Sequence, residues 1–118
     1  MIILYKITPV EENDKIRLNY TDNDIIKAYL LFHLDGYIIY IDEIYLFEDD
    51  MNISFMLIKS LANYAFNHNC FYIFNNKIEN YDICNKCGFA TLEDGSQKLT
   101  IDKIINHSCD GGVWYGCL

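Results

Sequence analysis

Residues 37–89, YIIYIDEIYLFEDDMNISFMLIKSLANYAFNHNCFYIFNNKIENYDICNKCGF, decide the fold. They read as strand, helix, strand and short helix. The first segment, YIIYIDEIYLFED, alternates two apolar faces and stops at a run of acids. A main helix is predicted over 52–68, where Ile53, Met56, Leu57, Leu61, Tyr64 and Ala65 fall on one stripe at helical spacing. CFYIF, at 70–74, is a wholly apolar run of the kind buried on both faces of a sheet. A short helix is predicted over 78–86.

Working outward, the N-terminal third reads as strands. One is predicted over 2–10 and a second over 15–20, with Ile16, Leu18 and Tyr20 on one face. VEEND, at 10–14, joins them as a loop, and TDND, at 21–24, makes a short turn. IIKAYLLFHL then reads as a long third strand, with a helix as the alternative because of its length and leucine content. Asp35-Gly36 is a two-residue hairpin signal into the strand over 37–47. Beyond Phe89, ATLEDGSQKLTI predicts a hairpin turning between 94 and 96. The remainder has a brief helical start and then HSCDGGVWYGCL, whose glycines give no regular pattern. The division expected is one domain over 1–104 and a tail over 105–118.

A chain of 118 residues, 52% hydrophobic and with a single proline, suits one packed core rather than disorder. No apolar run approaches the roughly 18–20 residues that cross a bilayer. MIILYKITPVEEND lacks a basic region and a cleavage site, so it reads as a strand and not a secretion signal. The five cysteines, an odd count, favour reduced thiols and a cytoplasmic location. A net charge of −8 opposes nucleic-acid binding and anionic membranes. It favours cationic partners, such as amines, polyamines or a basic protein surface, or serves solubility alone.

The order YIDEIYLF, helix, strand and then C-x-K-x-G-F over 84–89 resembles the GNAT family of acyl-CoA-dependent N-acyltransferases. The resemblance implies an α/β (α+β) fold with a mixed, mostly antiparallel sheet of six or seven strands. It also implies acetyl-CoA or another acyl-CoA as donor and an amine of a small molecule or protein as acceptor. The helices the family carries between its first two strands, which help wall the acceptor site, are replaced here by VEEND. In the family the loop after the fourth strand turns backbone amides and a helix N-terminus toward the coenzyme A pyrophosphate. That loop maps onto 49–54, with Asp49 in place of a basic residue and Asn52 and Ser54 in place of small ones. Tyr45, Leu46, Phe47, Asn52, Ile53, Ser54 and Phe55 are therefore the expected donor-binding residues, the amides of 52–55 meeting phosphate. One carboxylate about 6 Å from a phosphate charge costs roughly 3 kcal/mol, or about a hundredfold in affinity, at an effective dielectric near 20. Read as local structure alone, Asp49, Asp50 and Asn52 cap the helix and complement its dipole.

The resemblance also maps a catalytic set. The family's tyrosine, four residues before Gly-Phe, falls on Cys84, with Tyr81 one turn earlier as the second candidate acid; read from the residues alone, Cys84 is a small buried apolar side chain and Tyr81 packs. Glu43, on the strand face of Tyr45 and Phe47, is the candidate base, where large apolar neighbours could raise its pKa, or else a solvated strand carboxylate. His33, on the adjoining strand, either reaches the same cleft or packs in the sheet. Cys84-x-x-Cys87-Gly also resembles one knuckle of a zinc site, with Cys109, Cys117 or His107 as further ligands. That spacing fits no common zinc motif, and Gly88-Phe89 is already accounted for, so no metal is expected. A Cys109–Cys117 disulfide is disfavoured in a reducing compartment. Trp114-Tyr115 would anchor a homodimer. Two functions stay open: an acyltransferase, or a non-catalytic GNAT-like binding module that has lost acyl-CoA, a pseudoenzyme.

Overall fold

The computed structural model describes residues 5–47 and 50–101. The elements run β1 (Tyr5–Glu12), β2 (Lys15–Asp22), β3 (Ile25–Asp35), β4 (Ile38–Leu46), α1 (Met51–Asn67), β5 (Tyr72–Asn75), α2 (Tyr81–Lys86), β6 (Ala90–Thr91) and β7 (Gln97–Thr100). A turn of 3-10 helix, Ile78–Asn80, leads into α2, so the helix expected over 78–86 is divided. The strands form one seven-stranded sheet in the order β1-β2-β3-β4-β5-β7-β6, antiparallel except where β4 lies beside β5.

Three tight hairpins build the first half. Glu12 pairs with Lys15, Asp22 with Ile25, and Asp35 with Ile38, leaving two residues in each turn. Asn23 and Asp24 both take positive φ, 53° and 67°, the twist that joins neighbouring strands without splaying them. Gly36, at φ 64°, does the same service before β4. VEEND is thus shorter as a loop than expected: Val10, Glu11 and Glu12 stay in the strand and only Asn13 and Asp14 turn. IIKAYLLFHL is strand throughout, with Ala28, Leu30 and Phe32 buried and Tyr29, Leu31 and His33 between them turned away from the core. A parallel neighbour needs a crossover, which α1 supplies between β4 and β5.

The core lies on one face of the sheet. Leu18, Leu30, Phe32, Ile39, Ile41, Ile73 and Leu99 meet Leu57, Ile58, Leu61 and Ala65 of α1, and Cys84 and Phe89 close the far end. The buried stripe of α1 is Ser54, Leu57, Ile58, Leu61, Ala62 and Ala65. Ile53, Met56 and Tyr64, expected in that stripe, flank it and pack against its edges. The opposite face of the sheet carries Arg17, Tyr29, His33, Tyr40, Glu43 and Tyr45. Among the described residues no helix covers it. No described helix is long and apolar enough to cross a membrane. The expected tail over 105–118, with Cys109, Cys117, His107 and Trp114, lies outside the described residues.

Candidate active site

The site is made where two strands part. β4 pairs with β5 from Ile38 to Ile41, and the last partner is Asn75. β4 then runs on to Leu46 while β5 ends. At the same point β4 bulges: Phe32 faces Ile41 but Leu31 faces Glu43, so Asp42 is the extra residue. The bulge resets the alternation, which turns Ile44 and Leu46 inward and Glu43 and Tyr45 outward. The backbone edge of 42–46 on the β5 side has no strand beside it among the described residues.

Two side-chain groups gather at this bulge on the uncovered face. In the first, His33 Nδ1 donates to Asp42 Oδ2 at 2.8 Å, and Lys15 Nζ lies 3.7 Å from Asp42 Oδ1. The carboxylate is 12% exposed and the imidazole 38%, so the ring carries the dyad's open end. His33 stacks on Tyr40 with centroids 5.4 Å apart, and Tyr40 meets Phe74 at 5.8 Å. In the second group the Tyr29 phenol lies near the Glu43 carboxylate, and burial followed by that carboxylate pushes the phenol up. Tyr29 stacks on Tyr45 at 5.2 Å, with the Arg17 guanidinium 5.4 Å from its centroid. Glu43 itself is exposed, and Arg17, over the Tyr29 ring, pairs with Glu12 at 2.7 Å. Phe47 is also exposed, under Lys27 at 5.7 Å.

The start of α1 is occupied by the chain itself. Asp50 is the N-cap: its Oδ1 accepts from Asn52 N at 2.9 Å, and its carbonyl accepts from Ile53 N and Ser54 N at 3.1 and 3.3 Å. The amides of Asn52, Ile53 and Ser54, expected to meet phosphate, therefore already have acceptors. Ser54 is fully buried toward the sheet, while Ile53 and Phe55 pack against the core. A pocket of about 200 Å³ beside the cap is lined by Tyr20, Asp22, Lys27, Asp50 and Ile53. Burial, with Asp22 and Asp50 nearby, pushes the Tyr20 phenol up. These groups do not fit a pyrophosphate: two carboxylates face one lysine. The free β4 edge does fit an extended amide-bearing arm such as pantetheine. Asp49 lies outside the described residues.

Of the two candidate acids, only one reaches solvent. Cys84 and Cys87 are both in the core, where burial pushes each thiol up to about 12. The resemblance placed Cys84 at the tyrosine position, but its Sγ faces the packed interior, where a small apolar side chain belongs. Tyr81, 38% exposed at the start of α2, offers a hydroxyl that lies 3.2 Å from Thr91 Oγ1. Its carbonyl accepts from Gln97 Nε2 at 2.9 Å, and Gln97 Oε1 accepts from Asn75 Nδ2 at 2.7 Å. Asn80 Nδ2 donates to Asn75 Oδ1 at 3.3 Å. This buried amide network ties Tyr81 to the last β4–β5 pair. No group of three metal-ligating side chains forms among the described residues. Sequence reasoning missed Asp42, Lys15, Tyr29, Asn75 and Gln97. The two amides carried a signal, since each is a polar residue on the core-facing parity of an apolar strand.

No protein-family model and no curated protein sequence matches the chain. Solved structures do. A probable acetyltransferase from Staphylococcus epidermidis superposes with a TM-score of 0.58 at 16% identity, over 68% of this chain and 55% of that one. The chain thus spans little more than half the length of that neighbour. The aminoglycoside 6'-N-acetyltransferase from Enterococcus faecium gives 0.63 at 11% identity, over 76% of each chain. Mutant forms of the spermidine/spermine N-acetyltransferase SpeG from Vibrio cholerae give 0.64 at 15%, over 83% of this chain and 71% of that one. The fold is the GNAT fold. Its sheet order, the β4–β5 parting and the crossover helix all stand in this chain.

Proposed function

We propose that the chain is a GNAT-type N-acyltransferase, moving an acetyl or other acyl group from an acyl-CoA to an amine of a small molecule or protein. The unpaired edge of β4 at 42–46 carries this reading. A pantetheine arm laid along it gains main-chain hydrogen bonds, as an added strand would, and that is where acyltransferases of this fold admit the arm. The thioester carbonyl then lies near the bulge, among side chains able to exchange protons. The Tyr81 hydroxyl supplies the proton for the departing coenzyme A sulfur, positioned by Gln97 and Asn75. The acceptor approaches from the uncovered face, and the net charge of −8 favours one that is cationic. The reading includes a cytoplasmic setting, supported by the free thiols of Cys70, Cys84 and Cys87.

A second reading, a GNAT-fold binding module without acyl-CoA, is favoured by Asp50, whose carboxylate and carbonyl hold the amides at the start of α1. Chromatographic detection of coenzyme A released from acetyl-CoA, with spermidine and a lysine-containing peptide as acceptors, separates the two. Amine-dependent release supports the transferase. Its absence with saturating donor and either acceptor supports the module.

A further inference from the structure

We propose that His33, oriented by Asp42, is the group that takes the proton from the acceptor amine, an assignment that rests on the acyl-transfer reading. Three observations lead to it. First, a carboxylate only accepts hydrogen bonds, so in the neutral ring the 2.8 Å contact holds the proton on Nδ1 and leaves the lone pair on Nε2. Second, Asp42 is the bulge residue, the first position beyond the last β4–β5 pair, so the dyad is fixed at the start of the free edge. Third, the row His33, Tyr40, Phe74 spans β3, β4 and β5 on the uncovered face and holds the imidazole plane. The charged groups around the ring are Asp42 and Glu43 from β4 and Lys15 from β2, with the Tyr40 phenol beneath it. Glu43 is the weaker candidate, because it is exposed, whereas His33 is oriented at 2.8 Å by the largely buried Asp42 carboxylate.

The proton count closes. The ammonium form of the amine gives one proton to His33 Nε2, and Asp42 stabilises the resulting imidazolium. The neutral nitrogen attacks the thioester carbonyl, the C–N bond forms and the C–S bond breaks. The second proton lost from nitrogen is balanced by the one that ends on the coenzyme A sulfur, and His33 returns its own to water. His33 is the catalytic residue in this scheme and Asp42 the positioning residue.

The test is steady-state acetyl transfer by the full chain to spermidine across pH, for wild type, His33→Gln, His33→Ala, Asp42→Asn and Glu43→Gln. Wild type is expected to show a single-proton acid limb in kcat/KM. His33→Gln should lose that limb and about a hundredfold in kcat, within the range positioned general bases supply. Added imidazole should restore part of the activity of His33→Ala. Asp42→Asn should lower kcat while leaving the KM for spermidine unchanged. A wild-type limb retained in His33→Gln, or lost in Glu43→Gln instead, overturns the assignment and leaves the transferase reading standing. No transfer by wild type to spermidine or to a lysine-containing peptide overturns both.

Discussion

Asp50 accepts the backbone N–H of Asn52 at 2.9 Å, and this one contact puts a fixed negative charge where a phosphate-binding helix would present an empty amide. Helix N-termini attract anions through such amides and through the dipole, and here the anion is resident. Asp22 adds a second carboxylate to the same pocket, against the single ammonium of Lys27.

Replacing Asp50 by Ser keeps a cap while removing the charge. Asp50→Ser should therefore tighten acetyl-CoA, by up to about a hundredfold if the carboxylate lies about 6 Å from the phosphates. Calorimetric titration of wild type and variant reads the change. Dephospho-CoA and 4′-phosphopantetheine should show a smaller difference, since they bring fewer charges to the pocket.

Tyr81→Phe removes the hydroxyl that meets Thr91 and leaves the ring in place. The expected result is a fall in kcat of about ten- to a hundredfold with little change in donor affinity. Product formation and acetyl-CoA titration on the same preparation measure the two quantities.

Gln97→Ala should destabilise the protein by about 1–3 kcal/mol, because a buried donor and a buried acceptor each lose a hydrogen-bond partner. The bonds lost are those to the Tyr81 carbonyl and from Asn75 Nδ2, which keeps its bond to the Lys77 carbonyl at 3.0 Å. Urea unfolding with an unchanged m-value checks this. A Gln97→Glu variant should be worse than alanine, since it buries a carboxylate beside the Tyr81 carbonyl.

The cysteines set an alkaline limit. Cys84 has an ordinary thiol value of 9.0 and is pushed up to about 12 in the fold by burial and then by the neighbouring Cys87. The unfolded chain therefore releases those protons first. Their contribution to stability is complete below about 9 and declines as pH rises toward about 12. Denaturation midpoints measured between pH 8 and 11 should fall, and the fall should be shallower in Cys87→Ala. Thiol labelling should reach Cys84 and Cys87 only under unfolding conditions.

Much of this architecture is legible in the residues, and the exceptions have physical causes. Hairpins at Asn13-Asp14, Asn23-Asp24 and Gly36-Tyr37 follow from turn chemistry, which is local. The strand–helix–strand unit follows from period and from apolar runs. The bulge at Asp42 is not legible, because nothing in YIIYIDEIYLF marks which residue is left without a partner. It nevertheless decides which way Glu43 and Tyr45 face. The α1 stripe was displaced by about one position because Ile53 and Met56 outrank Ser54 in hydrophobicity, whereas packing took Ser54 inside. Cys84 reads both as the position of a catalytic tyrosine and as a small buried side chain, and its depth in the core agrees with the second. His33 was recognised as a candidate, but its partner Asp42 becomes visible only once the two strands are in register.

The most direct measurement is an acetyl-CoA titration of 15N-labelled protein followed by backbone amide shifts. Saturable shifts concentrated at Glu43, Ile44, Tyr45 and Leu46, with smaller ones at Asn52 and Ile53, are the expected result. They would show the donor held along the β4 edge, with its phosphates lying outside the capped helix start. Spectra unchanged at millimolar acetyl-CoA, or shifts confined to regions away from β4, would contradict it.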